Sequence, residues 1–421
     1  NLFFKWNTKI SVLMALLFLL VNCILQYYFF GAFTNPASNP DENSYIYFLE
    51  AIHEFNLYNF SGLNSQPFSF LCYLFNQLFD NVKLSMRLVN LIASIVCLGF
   101  LCFYYKKNKF FDFSNNKLLN KLITFTIFFA VLGIFEQQFT GIPDGFSVAF
   151  GLPGFILLTE NSLNGKKHNA LLIGFLFAIS FTSRPTFIIV LLSFLGALTL
   201  FFPKKIFSKC LILVGVYFVL FTAIINFKPL ISKGEINLDV KEIPSEYGTS
   251  WFEMNYLMAK KWDAAEIPNT QWLSHIDVIN YKKENPSVVF PKNHLDILLN
   301  DTGLYFRQMI RMTALAMYSS FRYLYFLFPF LLFYYFINYK KKDALETKKV
   351  YFVVCFYFFA IVLFSATAFK MLEFRWMQIP TLFFAFYAIH FSKVLSINKR
   401  ILLYNLVFLT GIGFFILKFL K

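Results

Sequence analysis

Apolar residues run along this chain in blocks, broken by short polar or basic segments. A membrane-spanning helix needs about 20 mostly apolar residues. Eleven stretches qualify or come close: 10–31, 84–105, 118–135, 145–159, 169–182, 185–202, 207–226, 309–337, 350–369, 376–392 and 401–420. The fourth and fifth are short. Ser183-Arg184-Pro185 falls between two of them, and they can equally be one broken helix, because Pro disfavours helical geometry in the residue before it. Two further stretches show helical periodicity but are too short to span. Tyr45, Phe48, Leu49 and Ile52 recur at i, i+3, i+4 and i+7, and Leu71, Leu74, Phe75 and Leu78 repeat the pattern. That spacing predicts two amphipathic helices lying in an interface.

The composition agrees with this pattern. Of 421 residues, 58% are hydrophobic and only 14% charged, against about 25% charged in soluble domains. An ordinary soluble enzyme, a disordered chain and a coiled coil are excluded. The formal net charge of +15 raises the question of nucleic acid, but the placement of the charges answers it. Lys5 and Lys9, then Lys106 to Lys121, Lys166 and Lys167, Lys204 to Lys209, Lys340 to Lys349, and Lys393 to Arg400 fall in alternate loops. Basic residues gather on the cytoplasmic side of membrane proteins. An odd number of spans puts all of these loops on that side, with the N-terminus inside and the C-terminus outside. No nucleic-acid partner is expected.

The predicted fold is therefore an all-α, multi-pass integral membrane protein. Residues 1–226 form an N-terminal transmembrane module whose first outer loop is 32–83. Residues 227–308 form an outer-face region, and 309–421 the C-terminal helices. The 227–308 segment holds Trp251, Trp262 and Trp272 and is long for a connection; its aromatic content predicts order. The six cysteines sit in apolar runs without a C-x-x-C pair and read as small core residues. The five histidines lack metal-ligand spacing.

Candidate chemistry lies at the outer ends of the helices. Ionisable groups near membrane depth are costly and are functional candidates by default. Asn39-Pro40-Asp41-Glu42 and Pro143-Asp144-Gly145 are also what any helix start uses, since Pro suits the first position and carboxylates favour the positive end of the dipole. The functional alternative makes Asp41 or Glu42 a general base. Arg184, inside an apolar stretch, either snorkels to the interface or binds a phosphate. Glu373-Phe374-Arg375-Trp376 is either a surface pair or part of a substrate site.

The order of these pieces resembles the GT-C superfamily of integral-membrane glycosyltransferases, in the branch of protein O-mannosyltransferases and bacterial aminoarabinose transferases. One span leads to Pro40-Asp41-Glu42-Asn43-Ser44-Tyr45, and Gln66-Pro67-Phe68 starts the second interfacial helix. Ser85-Met86-Arg87-Leu88-Val89-Asn90 is similar to the family's R-x-x-N segment, and Pro143-Asp144 opens a later helix. Gly174 to Ser180, ending at Arg184-Pro185, resembles a conserved stretch with Ala178 where Gly is usual. Glu373-Phe374-Arg375-Trp376 resembles a late E-R-Y segment with Phe374 inserted. The likeness covers about residues 1–200 well and the rest loosely.

The resemblance implies an inverting enzyme on the outer face of a bacterial inner membrane or its equivalent. Its donor is a polyprenyl-phosphate-linked sugar and its acceptor a glycan, lipid or protein. Asp41 becomes the base, and Glu42 its neighbour, tuning it or helping to hold a divalent cation. Tyr45, Asp144, Arg184, Glu373 and Arg375 become substrate-binding residues. Three rivals stay open: a non-enzymatic subunit of a membrane complex, a polysaccharide polymerase or ligase leaning on His275 or His294, and a transporter with charges in mid-helix.

Overall fold

The computed structural model describes residues 10, 13–18, 20, 24, 40–50, 65–107, 141–165, 168–234, 236, 248–268, 271–324, 327–338, 344–368, 373–392, 395 and 397–419. The expected span over 118–135 and most of 10–31 lie outside these residues. So do Lys5, Lys9, Lys109, Lys117, Lys121, Lys166, Lys167, Lys340, Lys341, Lys342 and Lys393. The described residues are 85% helical, without a strand.

Both short periodic stretches form helices: α1 over Pro40–Glu50 and α2 over Gln66–Phe79. Pro67 sits in the first turn of α2, where its missing N–H costs nothing. Asp80, in the left-handed region at φ 48°, ends that helix with its N–H on the Asn76 carbonyl at 2.8 Å. Next come α3 (Val82–Lys107), α4 (Asp144–Asn164), α5 (Ala170–Ser183), α6 (Phe187–Phe201) and α7 (Lys209–Ile225). Gly165 at φ +66° stops α4, as expected for a residue without Cβ. The Asn169 side chain caps α5 by accepting from Leu171 N at 2.9 Å. Arg184 is extended (φ −148°, ψ 101°) because Pro185 follows it, so α5 and α6 are two helices.

Residues 251–300 contain α8 (Trp251–Asp263), α9 (His275–Glu284) and α10 (His294–Asn300). Ser250 and Glu253, and Ser274 and Asp277, form reciprocal capping boxes that fix the first two starts. These helices bury their own apolar set, including Met258, Val278 and Ile297, apart from the main core. Residues 251–300, expected on the outer face, thus form a small helical module. Beyond it run α11 (Thr302–Leu324), α12 (Leu327–Asn338), α13 (Ala344–Thr367), α14 (Gln378–Phe391) and α15 (Ile397–Phe419). The single stretch expected over 309–337 is instead two helices with a bend between them.

Among the described residues, three helices are long and apolar enough to cross a membrane: Val82–Tyr104, Asp144–Asn164 and Leu345–Thr367. A fourth is added if α11 and α12 make one bent span. Helices α5, α6 and α7 are apolar but shorter. Of the three long apolar helices, α4 is the most enclosed, packed on α3, α5 and α14. Its contact with α5 is close: a Cβ on Gly151 would meet Ser180 Oγ at 2.6 Å, and one on Gly154 would meet the Phe177 ring at 2.6 Å. Small residues that let backbones approach are the usual cement between membrane helices. Ser147 and Ser180 add hydroxyl-to-carbonyl bonds in both directions, at 3.0 and 2.9 Å.

Candidate functional site

Two carboxylate–guanidinium centres form at the same end of the bundle, where α1, α2, α3 and α4 begin. The first joins α1 to α3. Arg87 donates to Glu42 through Nε at 2.8 Å and through Nη2 at 2.9 Å, and both side chains are wholly buried. The Gly141 N–H adds a third donor to Glu42 Oε1 at 2.7 Å. Three residues on, one helical turn along the same face, Asn90 donates from Nδ2 to the Ile142 carbonyl at 2.5 Å. The R-x-x-N spacing therefore ties α3 to both α1 and the turn that opens α4. Gly141 is required there, because a Cβ would stand 2.8 Å from Glu42 Oε1 and 2.9 Å from Met86 Cβ. A bidentate, charge-assisted pair is the strongest ordinary contact available to a buried carboxylate. This geometry makes Glu42 a structural anchor. A divalent ion at Glu42 would have to displace Arg87, and among the described residues no group of three His, Cys, Asp or Glu side chains is arranged to hold a metal.

The second centre gathers residues from three places in the sequence. Asp144 opens α4 and is buried. Its Oδ1 accepts from Arg184 Nε at 3.0 Å, and its Oδ2 accepts no hydrogen bond and faces Arg375 Nη1 at 3.9 Å. Arg375 is paired on its other edge with Glu373, which precedes the short 3₁₀ turn Phe374–Met377 leading into α14. Tyr45 of α1 and Glu373 both act electrostatically on Arg184. Tyr45 is buried with its ring edge-on to Phe68, and Ser65 Oγ donates to the Ser183 carbonyl at 2.7 Å, which fastens the start of α2 beside Arg184. The Arg184 side chain keeps 15% of its surface, and its hydrogen bonds leave the two terminal nitrogens uncommitted. It therefore has a rigidly held inner edge and a donor-rich outer edge.

An apolar cavity of about 330 Å³ begins within a turn of this centre. Leu71 and Phe75 of α2, Val96 of α3, Phe146 and Phe150 of α4, and Leu176 of α5 line it. It follows α4 from Phe146 to Leu157, a rise of about 17 Å at 1.5 Å per residue. Val96 and Ile92 on its rim are exposed, so the cavity opens sideways between helices.

The structure thus brings Tyr45, Asp144, Arg184, Glu373 and Arg375 together, although they come from separate parts of the chain. Glu42 stands in the neighbouring closed centre. Asp41 is in α1, one residue before Glu42, and its side chain lies outside the described residues. His275 and His294 open α9 and α10 in the separate helical module; His294 packs edge-on against Phe252 at 5.0 Å. Sequence reading missed two groups. Arg87 was noticed only as part of a motif, since its partner is 45 residues away. Glu160 is buried near the far end of α4, about 24 Å along the helix from Asp144, where Asn164 donates to it at 2.8 Å. Its place in a polar-looking helix end, Thr159-Glu160-Asn161-Ser162, gave no sign of burial.

No family model, curated protein or solved structure matches this chain.

Proposed function

We propose that this chain is an integral-membrane glycosyltransferase with eleven spans, which moves a sugar from a polyprenyl-phosphate donor to an acceptor at the end of the bundle that carries Arg184. The observation that supports this most is the pairing of two unlike surfaces. A guanidinium with free outer donors stands within a turn of an open, wholly apolar cavity between helices. A phosphate on a long hydrocarbon needs both. Guanidinium suits phosphate because its planar donors meet two oxygens at once.

The reaction this arrangement serves is a displacement at the sugar's anomeric carbon. Asp41 takes the proton of the acceptor hydroxyl as that oxygen attacks. The carbon–oxygen bond to phosphate breaks and its electron pair leaves with the phosphate. A phosphate leaving group is a weak base and needs no proton donor; it needs positive charge, which Arg184 and Arg375 supply. Attack opposite the leaving group inverts the anomeric carbon. Asp144 and Glu373 hold the two guanidinium groups, and Glu42 and Arg87 hold the helix that carries Asp41.

The test is a titration of undecaprenyl phosphate into the chain in lipid nanodiscs, read by native mass spectrometry. Wild type is expected to bind it, and Arg184→Ala to bind about tenfold or more weakly, the loss of one charge-assisted contact. Equal affinity in the two proteins would remove the phosphate-binding role and with it the reading.

A further inference from the structure

A second cavity, of about 440 Å³ and of opposite character, lies at the other end of α2. It is bounded by Glu50 at the end of α1, by Tyr73, Asn76 and Gln77 on α2, by Asp80 and Asn81 in the turn before α3, and by Lys83 in the first turn of α3. None of these carries the chemistry proposed above. Asn81 Oδ1 caps α3 by accepting from Leu84 N at 2.9 Å, which turns the donor half of the amide, Nδ2, away from the helix. Asp80 is fixed in the left-handed region by its own N–H on the Asn76 carbonyl. Asn76 Oδ1 is buried without a hydrogen-bond partner, which is costly in a folded protein unless a ligand or water supplies a donor. Glu50, Gln77 and Asp80 are exposed, and among the described residues their side chains make no hydrogen bond or ion pair.

We infer that this cavity is a binding subsite for a hydroxyl-rich ligand, and that the ligand is a glycan acceptor. Each sugar hydroxyl both donates and accepts, so its natural counterpart is a mixed set of donors and acceptors. Here Glu50, Asp80 and Asn76 Oδ1 accept, while Asn81 Nδ2 and Gln77 Nε2 donate. A phosphate would meet two carboxylates, Glu50 and Asp80, against one ammonium, Lys83, so the mouth keeps a net negative charge; an apolar ligand would leave the amides unsatisfied. Position supports the choice. Glu50 lies five residues beyond Tyr45 on α1, about 8 Å along the helix axis, and Tyr45 acts on Arg184. A ligand seated here extends toward the second centre along the α1–α2 face, as the distal units of an acceptor would. The acceptor role rests on the transferase reading; the affinity for a glycan does not.

The experiment uses the full chain in nanodiscs on an array of oligosaccharides built from hexose, N-acetylhexosamine, 6-deoxyhexose and uronic acid units, with calcium chelated. Wild type is expected to retain at least one class. Asn76→Leu, and separately the exposed Gln77→Leu, should each weaken that retention about tenfold, the loss of one or two hydrogen bonds. A blank array, retention that survives both substitutions, or retention that returns only with calcium (a cation site at Glu50 and Asp80) would each overturn the inference. Undecaprenyl phosphate binding by the same sample separates the two proposals. Lipid binding with a blank array removes the subsite and keeps the transferase reading. Glycan retention without lipid binding does the reverse.

Discussion

The two carboxylate–guanidinium centres stand at one end of the same bundle and use the same two chemical groups, yet they differ in how much of each group the fold consumes. Around Glu42, Arg87 presents two parallel N–H groups, the Gly141 backbone adds a third, and no surface remains. Around Asp144, Arg184 gives one bond from Nε and one carboxylate oxygen accepts none, while the guanidinium keeps contact with the outside. A saturated buried pair fixes geometry and has nothing left for a ligand. An unsaturated one is expensive to maintain unless something else completes it. The difference fits a structural part for Glu42 and Arg87, and it is the ground for the binding role proposed for Arg184 and Arg375.

That contrast is broken most severely at the closed centre. Arg87→Ala leaves the Glu42 carboxylate buried beside a void and is expected to cost about 3–5 kcal/mol, enough to abolish the folded protein in a detergent thermal-melt assay. A protein that melts normally would mean that the pair is dispensable. Gly141→Ala tests the same centre more gently. The new methyl crowds Glu42 Oε1 and Met86, and overpacking of this kind costs about 1–3 kcal/mol, read as a lower melting temperature.

At the open centre the expected signature is inverted. Arg184→Ala should weaken undecaprenyl phosphate binding about tenfold, roughly 1.4 kcal/mol, and shift the melting temperature less than Gly141→Ala does. A larger loss of stability than of binding would put Arg184 with the closed centre.

The smallest effect belongs to the helical module of residues 251–300, where Asp263 pairs with Arg307 and Arg311 at 2.8 Å each, near the surface. The Arg307 hydrogen bond, with the Arg311 charge, holds the Asp263 carboxyl below its usual range. A carboxylate depressed in the folded state adds stability above its unfolded pKa of about 3.9 and loses it as pH falls through the lower folded value. Hydrogen exchange in α8 should therefore quicken only below about pH 4. Arg307→Ala should narrow that acid response while barely moving the melt at pH 7, because Arg311 remains and exposed pairs are screened. A large change at pH 7 would show that these exposed pairs carry weight comparable to the buried ones.

The legibility of these regions in the sequence follows from how local their causes are. Helices α1 and α2 were readable from four apolar positions each and from Pro67, and the break at Arg184 from Pro185, because those signals act within one or two turns. Asp144, Arg184, Glu373 and Arg375 stood out because each interrupts an apolar run at a helix end. Their convergence did not, since it depends on how α4, α5 and α14 pack. The Glu42–Arg87 pair was hidden for the same reason, and Glu42 consequently looked available for catalysis or a metal. For residues 251–300 only order was read, from the tryptophans; the capping pairs Ser250-x-x-Glu253 and Ser274-x-x-Asp277 that start α8 and α9 went unread, although both are local. The break ahead of α12 did have a local signal that went unread: Pro329 in the first turn of that helix, a place where proline is tolerated, whereas inside one continuous helix it would remove a backbone bond.

The most direct test of the central claim is a structure of the chain in nanodiscs with undecaprenyl phosphate bound. The account expects the phosphate on the outer edge of Arg184, within hydrogen-bonding reach of its terminal nitrogens, with the hydrocarbon in the cavity between Phe75, Phe146 and Leu176. A lipid phosphate seated elsewhere, with Arg184 still turned wholly onto Asp144 and the cavity filled by ordinary bilayer lipid, would contradict it.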